Sequence, residues 1–381
     1  MQNNSIHAMF PGATHDEQAM QSFIKNLRVH VLREFQESGR TVLEAEIDPA
    51  LRKANGGRAP TRRQLREALA QKPRQRWWSS MLRITQEMLY DTVGPSIERQ
   101  LPELIERARK LRGRTGSLTL DPSVAMPRYL TAVDIHSKPG SYQQELAEDD
   151  VFPGAEFDRT YRLYSMGMYG PNLDASGWSL IAWIKQTYPD FRPRRILDMG
   201  CTVGHSTLPY AEAFGDDVEV HAIDVAAPCL RYAHARAVAM GRSVHFSQQN
   251  AERTNFADGS FDLVVSHLLM HETSHAALRN IIKETERLLA PGGVMAHSDG
   301  VRPKDLFSRY YAEWMAHFNN EPFLGTIQDE DFEAICAGAG FDPERVVLAQ
   351  APLRRREDGP EAAPLSSFLV VGARKPPRLN A

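Results

Sequence analysis

From residue 194 to residue 371, short apolar runs alternate with longer stretches whose apolar residues recur at helical spacing. The runs 195–199, 218–224, 244–247, 261–266 and 293–297 are short and rich in apolar residues, and 195–199, 261–266 and 293–297 hold them at neighbouring positions, as strands buried on both faces do. Helices are expected between them, at 207–214, 227–239 and 276–289. Such alternation folds as a parallel sheet covered by helices on both sides. The last two runs, 345–349 and 367–371, have no helical stretch between them. Their connection, Arg354-Arg355-Arg356-Glu357-Asp358-Gly359, is polar. An antiparallel hairpin closing the sheet is therefore expected, giving seven strands in all.

The 381 residues leave room for a second part ahead of that sheet. Phe23, Ile24, Leu27, Val31, Leu32 and Phe35 recur at helical spacing, as do Trp77, Trp78, Met81, Leu82, Met88 and Leu89. Residues 1 to about 120 are expected to be all helical, with breaks at Asn55-Gly56-Gly57 and Arg112-Gly113-Arg114. The expected organisation is a helical region over 1–140 and an α/β domain over 141–381. Within the latter, 141–192 forms a cap segment and 193–381 the core. A net charge of −3 argues against a polycation built for nucleic acid. Three cysteines without a CxxC pair imply neither a disulfide framework nor a zinc knot. The first thirty residues include His15, Asp16, Glu17 and Lys25 and no apolar signal core. No stretch approaches the roughly 20 apolar residues that span a bilayer. A cytoplasmic protein is expected.

The chemistry-bearing segment is Leu197-Asp198-Met199-Gly200-Cys201-Thr202-Val203-Gly204, which follows an expected strand and opens an expected helix. Glycine there lets backbone approach a ligand, and a helix N-terminus presents free N–H groups. Asp224 closes the next strand, where a carboxylate can accept hydrogen bonds from ribose hydroxyls. Gln249-Asn250-Ala251-Glu252 follows the third strand, Ser260-Phe261-Asp262 opens the fourth, and Leu289-Ala290-Pro291-Gly292-Gly293 reads as a turn before the fifth.

In this order and spacing, these segments resemble the class I S-adenosylmethionine-dependent methyltransferases over about residues 197–371. The resemblance implies a Rossmann-like sheet, S-adenosylmethionine as cofactor and S-adenosylhomocysteine as product. It implies that Gly200, Cys201, Thr202 and Gly204 line the amino-acid and ribose end, with Asp198 beneath. It places Asp224 on the ribose, Val225 on the adenine ring, Asn250 and Ala251 at the adenine edge, and Ser266 and His267 facing the sulfonium. Thr202 stands where the family has its middle glycine, so a stiffer loop is expected. Asn250 stands where an Asp is frequent. A nicotinamide dinucleotide site is disfavoured, since G-x-G-x-x-G is absent.

Methyl transfer from an activated sulfonium needs alignment more than it needs a base. His267 and His271 are the catalytic candidates, at a spacing that would share a helical face. His271-Glu272-Thr273-Ser274-His275 matches the zinc motif HExxH, but the surrounding pattern is that of a strand end leading to a turn, so no metal is expected. Tyr142, Tyr161, Tyr164 and Tyr169 are expected in the cap over the acceptor, and Tyr310, Tyr311 and Trp314 in a wall after the fifth strand. Residues 52–114 carry sixteen Lys and Arg against six Asp and Glu. The bland reading is a solvated face or a contact between copies of the chain; the others are a pocket for an anionic acceptor, or RNA binding with Trp77 and Trp78 stacking on bases. No N/D-P-P-Y/F motif follows the fourth expected strand, where the chain reads Ser266-His267-Leu268-Leu269, so a small-molecule acceptor is expected, with RNA methylation or a non-catalytic scaffold as alternatives. The N-terminal helices are expected to cover the site.

Overall fold

The computed structural model describes residues 6–215, 217–300, 302–325, 327–356 and 363–377. The chain opens with α1 (His15–Val42), whose first turn is fixed by reciprocal bonds between Thr14 and Glu17. A π turn at Leu43–Ile47 leads into α2 (Asp48–Ala54), followed by α3 (Arg62–Ala70), α4 (Pro73–Glu98) and α5 (Leu101–Leu111). Next come β1 (Ser117–Thr119), α6 (Arg128–Thr131), α7 (Phe152–Tyr164) and α8 (Ala175–Thr187). The alternating part holds β2 (Arg195–Met199), α9 (Tyr210–Ala213), β3 (Glu219–Asp224), α10 (Ala227–Ala239), β4 (His245–Gln248) and β5 (Phe261–His267). It continues with α11 (His275–Leu288), β6 (Leu289–Asp299), α12 (Leu306–Phe318) and α13 (Phe332–Ala339). The chain closes on β7 (Val346–Leu353) and β8 (Ser366–Arg374).

Among the described residues the strands form one eight-stranded sheet in the order β1-β4-β3-β2-β5-β6-β8-β7. Pairing is parallel except at β6–β8 and β7–β8, so the expected hairpin is present. Residues 357–362 of its connection, Glu357, Asp358 and Gly359 among them, lie outside the described residues. The chain leaves the centre outward through β2, β3 and β4, then returns to β5 beside β2. That reversal opens a crevice at the strand C-terminal ends, where open α/β sheets bind ligands.

The doubly apolar strands serve two cores. Ile196, Val220, Leu263 and Val265 face α8 and α10, while Leu197, Met199, Ile223 and Val264 face α11 and α13. Three local expectations are corrected. Residues 117–119 are a strand, pairing parallel to β4 through Ser117 and His245, and they make the eighth strand; three edge residues leave no periodic signal. The helix expected over 207–214 is cut to α9, because Pro209 disfavours helical geometry at Leu208 and Thr207 is tied to Asp198 instead. The Leu289–Gly293 turn is the start of β6, an irregular stretch opposite Asp262 before the register resumes at Val294.

The helical region is continuous with the sheet. Phe35 of α1 stacks on Trp314 of α12 with ring centroids 3.5 Å apart, in a core shared with Trp78 and Leu82 of α4. Val93 and Ile97 of α4 pack with Ala155 of α7 and Tyr232 of α10 in another. Among the described residues no helix is long and apolar enough to cross a membrane.

Candidate active site

A cavity of about 770 Å³ lies at the crevice. One end is made by the strand tips. Gly200, Cys201, Thr202, Asp224, Val225, Asn250 and Ala251 line it. The loop turns through left-handed backbone at Gly200 (φ +72°), Thr202 (φ +47°) and Gly204 (φ +76°). A Cβ at Gly200 would stand 2.6 Å from Leu269 Cδ1, so glycine is required there. Thr202 keeps the turn of a glycine because Asp224 accepts its N–H at 2.9 Å; the other Asp224 oxygen accepts from the Ala226 N–H, also at 2.9 Å. Burial raises the Asp224 pKa, and these backbone bonds hold it down in part. Asn250 turns its side-chain oxygen to the Glu252 N–H at 2.8 Å.

A β-branched residue at positive φ is strained by about 1–2 kcal/mol, part of which glycine would return as chain entropy. Thr202→Gly should therefore raise stability to denaturant by up to about 1 kcal/mol and leave the loop able to bind. A clear loss of stability would show that Thr202 packs productively.

The other end of the cavity is aromatic and ionised. Tyr142, Phe157, Tyr161 and Tyr169 form a ladder, with Phe157–Tyr161 centroids 5.4 Å apart and Tyr161–Tyr169 centroids 5.0 Å apart. Tyr161 also stacks on His205 of the glycine loop at 5.3 Å. His205 Nε2 bonds Asp158 Oδ1 at 2.8 Å, and burial with the nearby Arg236 charge lowers its pKa to about 4, leaving it neutral. The helical region contributes Gln36, Gln86, Tyr90 and Tyr129 to the lining.

His136 lies between two carboxylates: its Nε2 donates to Glu272 at 2.9 Å and its Nδ1 to Glu321 at 3.1 Å. His271 Nδ1 donates to Asp299 at 2.5 Å. Burial opposes charge on both imidazoles, but the facing carboxylates overcome it and hold both pKa values well above the ordinary one. Their stabilising contribution is fully present below about pH 6.5, the unfolded value, and is lost as pH rises through the folded one. Stability should therefore decline on the alkaline side, and His136→Gln should flatten that decline in urea titrations run across pH. An unchanged alkaline limb would show that His136 is neutral.

Several residues expected in the site lie elsewhere. Tyr310 and Trp314 belong to the helical core, where Trp314 Nε1 donates to Ser79 Oγ at 2.8 Å. Tyr311 alone of that wall lines the cavity, beside Tyr164 from the cap. Ser266 and Gly204 are not in the lining. Ser266 is sealed against His297 at 2.7 Å, and Gly204 lies behind the loop with its carbonyl on Arg236. Asp198 is fully buried beneath the loop; Thr207 bonds one oxygen and the other has no partner. Burial pushes its pKa up to about 7.

His267 and His271 both line the cavity but share no helical face, since β5 ends at His267 and Leu268 turns the chain at φ +57°. His267 is locked between Tyr210 at 3.0 Å and Ser298 at 3.2 Å, and burial with the neighbouring His297 lowers its pKa to about 3. The HExxH segment is not one helix, because His271 bonds Asp299 while His275 starts α11 and bonds Glu330. No cation of residues 52–114 reaches the lining. Arg62, Arg83, Arg109 and Arg112 are paired with surface carboxylates instead. Trp78 is buried and Trp77 exposed.

A family model described as a methyltransferase domain matches residues 196–293. Demethylmenaquinone methyltransferase of Thermus thermophilus is 31% identical over 161 residues, covering 42% of this chain and 69% of that protein. The chain belongs to the class I S-adenosylmethionine-dependent methyltransferases. An uncharacterized methyltransferase of Synechocystis is 31% identical over 149 residues, 39% of this chain and 66% of that protein. Phosphoethanolamine N-methyltransferase 1 of Arabidopsis thaliana is 30% identical over 124 residues, 32% of this chain and 24% of that protein. The methyltransferase thus spans less than two thirds of the length of the Synechocystis and Arabidopsis relatives. Its residues fit the cofactor. Asp224 offers a carboxylate at the β3 tip, the Gly200 turn leaves no room for a side chain, and Asp198 keeps an unpartnered oxygen under the loop.

Proposed function

We propose that this chain transfers a methyl group from S-adenosylmethionine to a small-molecule acceptor. The reading is carried by one observation: the strand-tip lining and the aromatic wall enclose the same 770 Å³ space. Sites of roughly 300–1,000 Å³ hold ligands of drug size. When bound, S-adenosylmethionine supplies an activated methyl group on its sulfonium. Asp224 would hold the ribose hydroxyls, the Gly200–Thr202 backbone the amino-acid end, and Val225 and Ala251 the adenine. Tyr142, Tyr161 and Tyr169, with Gln86 and Tyr90, would exclude water and orient the acceptor. His267 has both ring nitrogens engaged and is assigned a positioning role, holding Tyr210 and Ser298. His271 donates to Asp299, whose carboxylate raises its pKa, and it is assigned a positioning role rather than that of a base.

Incubation with methyl-labelled S-adenosylmethionine and a cell extract tests the reading. Label should enter the small-molecule fraction in proportion to enzyme. Label confined to RNA or protein, or none above a heat-killed control, would overturn it.

A further inference from the structure

Three cavity-lining side chains each leave a buried oxygen without a partner: Gln86 Oε1, Thr160 Oγ1 and Glu272 Oε2. Gln86 and Thr160 are nine-tenths buried or more, at 1% and 5% exposure. The Gln86 amide nitrogen donates to the His136 carbonyl at 2.6 Å, which fixes its oxygen as the unpaired atom. The Gln86 and Glu272 oxygens only accept, so whatever satisfies them must bring donors, and the Thr160 hydroxyl can accept as well as donate. Gln86 and Glu272 are neighbours through His136, which both bond, and Thr160 lies on α7, which packs on the α4 that carries Gln86.

The charges of this end have the same sense. Glu272 and Glu321 line this end on either side of His136, and Asp299, just outside the lining, accepts from His271. Among the described residues no Lys or Arg lines the cavity. Lys138, close behind it, is committed to Glu156 at 3.3 Å and the Pro153 carbonyl at 3.0 Å. The surrounding rings of Tyr90, Tyr161 and Tyr311 present electron-rich faces, and two neighbours already attract cations: Lys138 lies 5.0 Å from the Tyr142 centroid and Arg28 5.0 Å from that of Tyr164. An anionic group would meet carboxylates and leave the Gln86 and Glu272 oxygens unpaired.

We propose that the acceptor end of the cavity recognises a protonated amine, through the carboxylates of Glu272 and Glu321, the free oxygens of Gln86 and Thr160, and the tyrosine rings around them. This rests on the reading of the cavity as a methyl-acceptor site and names the class of acceptor, one whose ammonium is held for recognition while another atom, bearing a lone pair, takes the methyl group. An ammonium has donors only and a single positive charge, which matches both the orphaned Gln86 and Glu272 acceptors and the two carboxylates of the lining.

The test uses the full chain loaded with S-adenosylhomocysteine and three matched probes: 2-phenylethylamine, 2-phenylethanol and 3-phenylpropionate. Calorimetry at neutral pH should rank the amine first and the carboxylate last, with roughly a tenfold or larger gap between them. Glu321→Gln keeps an oxygen for His136 but removes the charge; it should narrow that gap at least about fivefold while binding S-adenosylhomocysteine as before. A carboxylate that binds as tightly as the amine overturns the proposal, as does an unchanged ranking in Glu321→Gln or no amine binding at millimolar concentration. Failure of S-adenosylhomocysteine itself to bind would instead overturn the methyl-transfer reading.

Discussion

Replacing Asp224 by alanine is expected to weaken S-adenosylhomocysteine binding by about 1–3 kcal/mol, a factor of roughly 5 to 150. Two losses combine. The ribose hydroxyls lose a charged acceptor, and the Thr202 N–H loses the bond that holds it at positive φ. The second loss also loosens the glycine loop, so part of the effect is a cost of reordering it. Calorimetry measures the total. Asp224→Asn removes the charge while its amide oxygen can still accept from Thr202, at the cost of the Ala226 bond, which an amide nitrogen cannot accept. Unchanged affinity in Asp224→Ala would remove the residue from the ribose role.

The largest stability effect is expected at Asp158, which no motif marks. Its carboxylate is buried and accepts from His7 at 3.0 Å, His205 at 2.8 Å and the Tyr232 hydroxyl at 2.7 Å, with Arg236 at 3.8 Å. Burial would raise its pKa, but the bonds from His205 and His7 and the Arg236 charge hold it well below the ordinary range. A depressed carboxylate contributes stability that is present above the unfolded value and is lost as pH falls through the folded one. Asp158→Ala leaves a buried guanidinium and three donors without their acceptor. That should cost about 3–5 kcal/mol, as breaking a buried ion pair does. Asp149→Ala, which removes the partner of the exposed Arg109 and Arg112, should cost about 1 kcal/mol or less. Similar midpoints for the two variants in urea would show that the Asp158 cluster is not integral. Because His205 also stacks on Tyr161, Asp158→Ala should weaken cofactor binding as well.

The sheet was legible because its signals are local. Strands buried on both faces are apolar at consecutive positions, and 195–199 and the helix at 227–239 coincide with β2 and α10. The strand tips followed from the same pattern, since a loop after a parallel strand lies on the binding edge. Two kinds of feature were not legible. β1 has three residues, too few to show alternation, and its parallel partner is more than a hundred residues away. The ionised cluster joins residues 136, 272 and 321, which no spacing rule connects; Glu272 stood out only inside a zinc-like motif whose two histidines point to separate carboxylates. Tyr310 and Trp314 show a third limit. Aromatic residues on a helix after the fifth strand suit a pocket wall or a core equally, and α12 turns them toward Phe35 and Ser79 rather than toward the cavity.

That the strand tips and the tyrosine wall form one site is tested most directly by a crystal structure of the full chain with S-adenosylhomocysteine. The ribose hydroxyls are expected on Asp224, the adenine beside Val225 and Ala251, and the sulfur turned toward Tyr161 and His271. A ligand bound with its sulfur directed away from that wall, or bound outside the cavity, would contradict that arrangement.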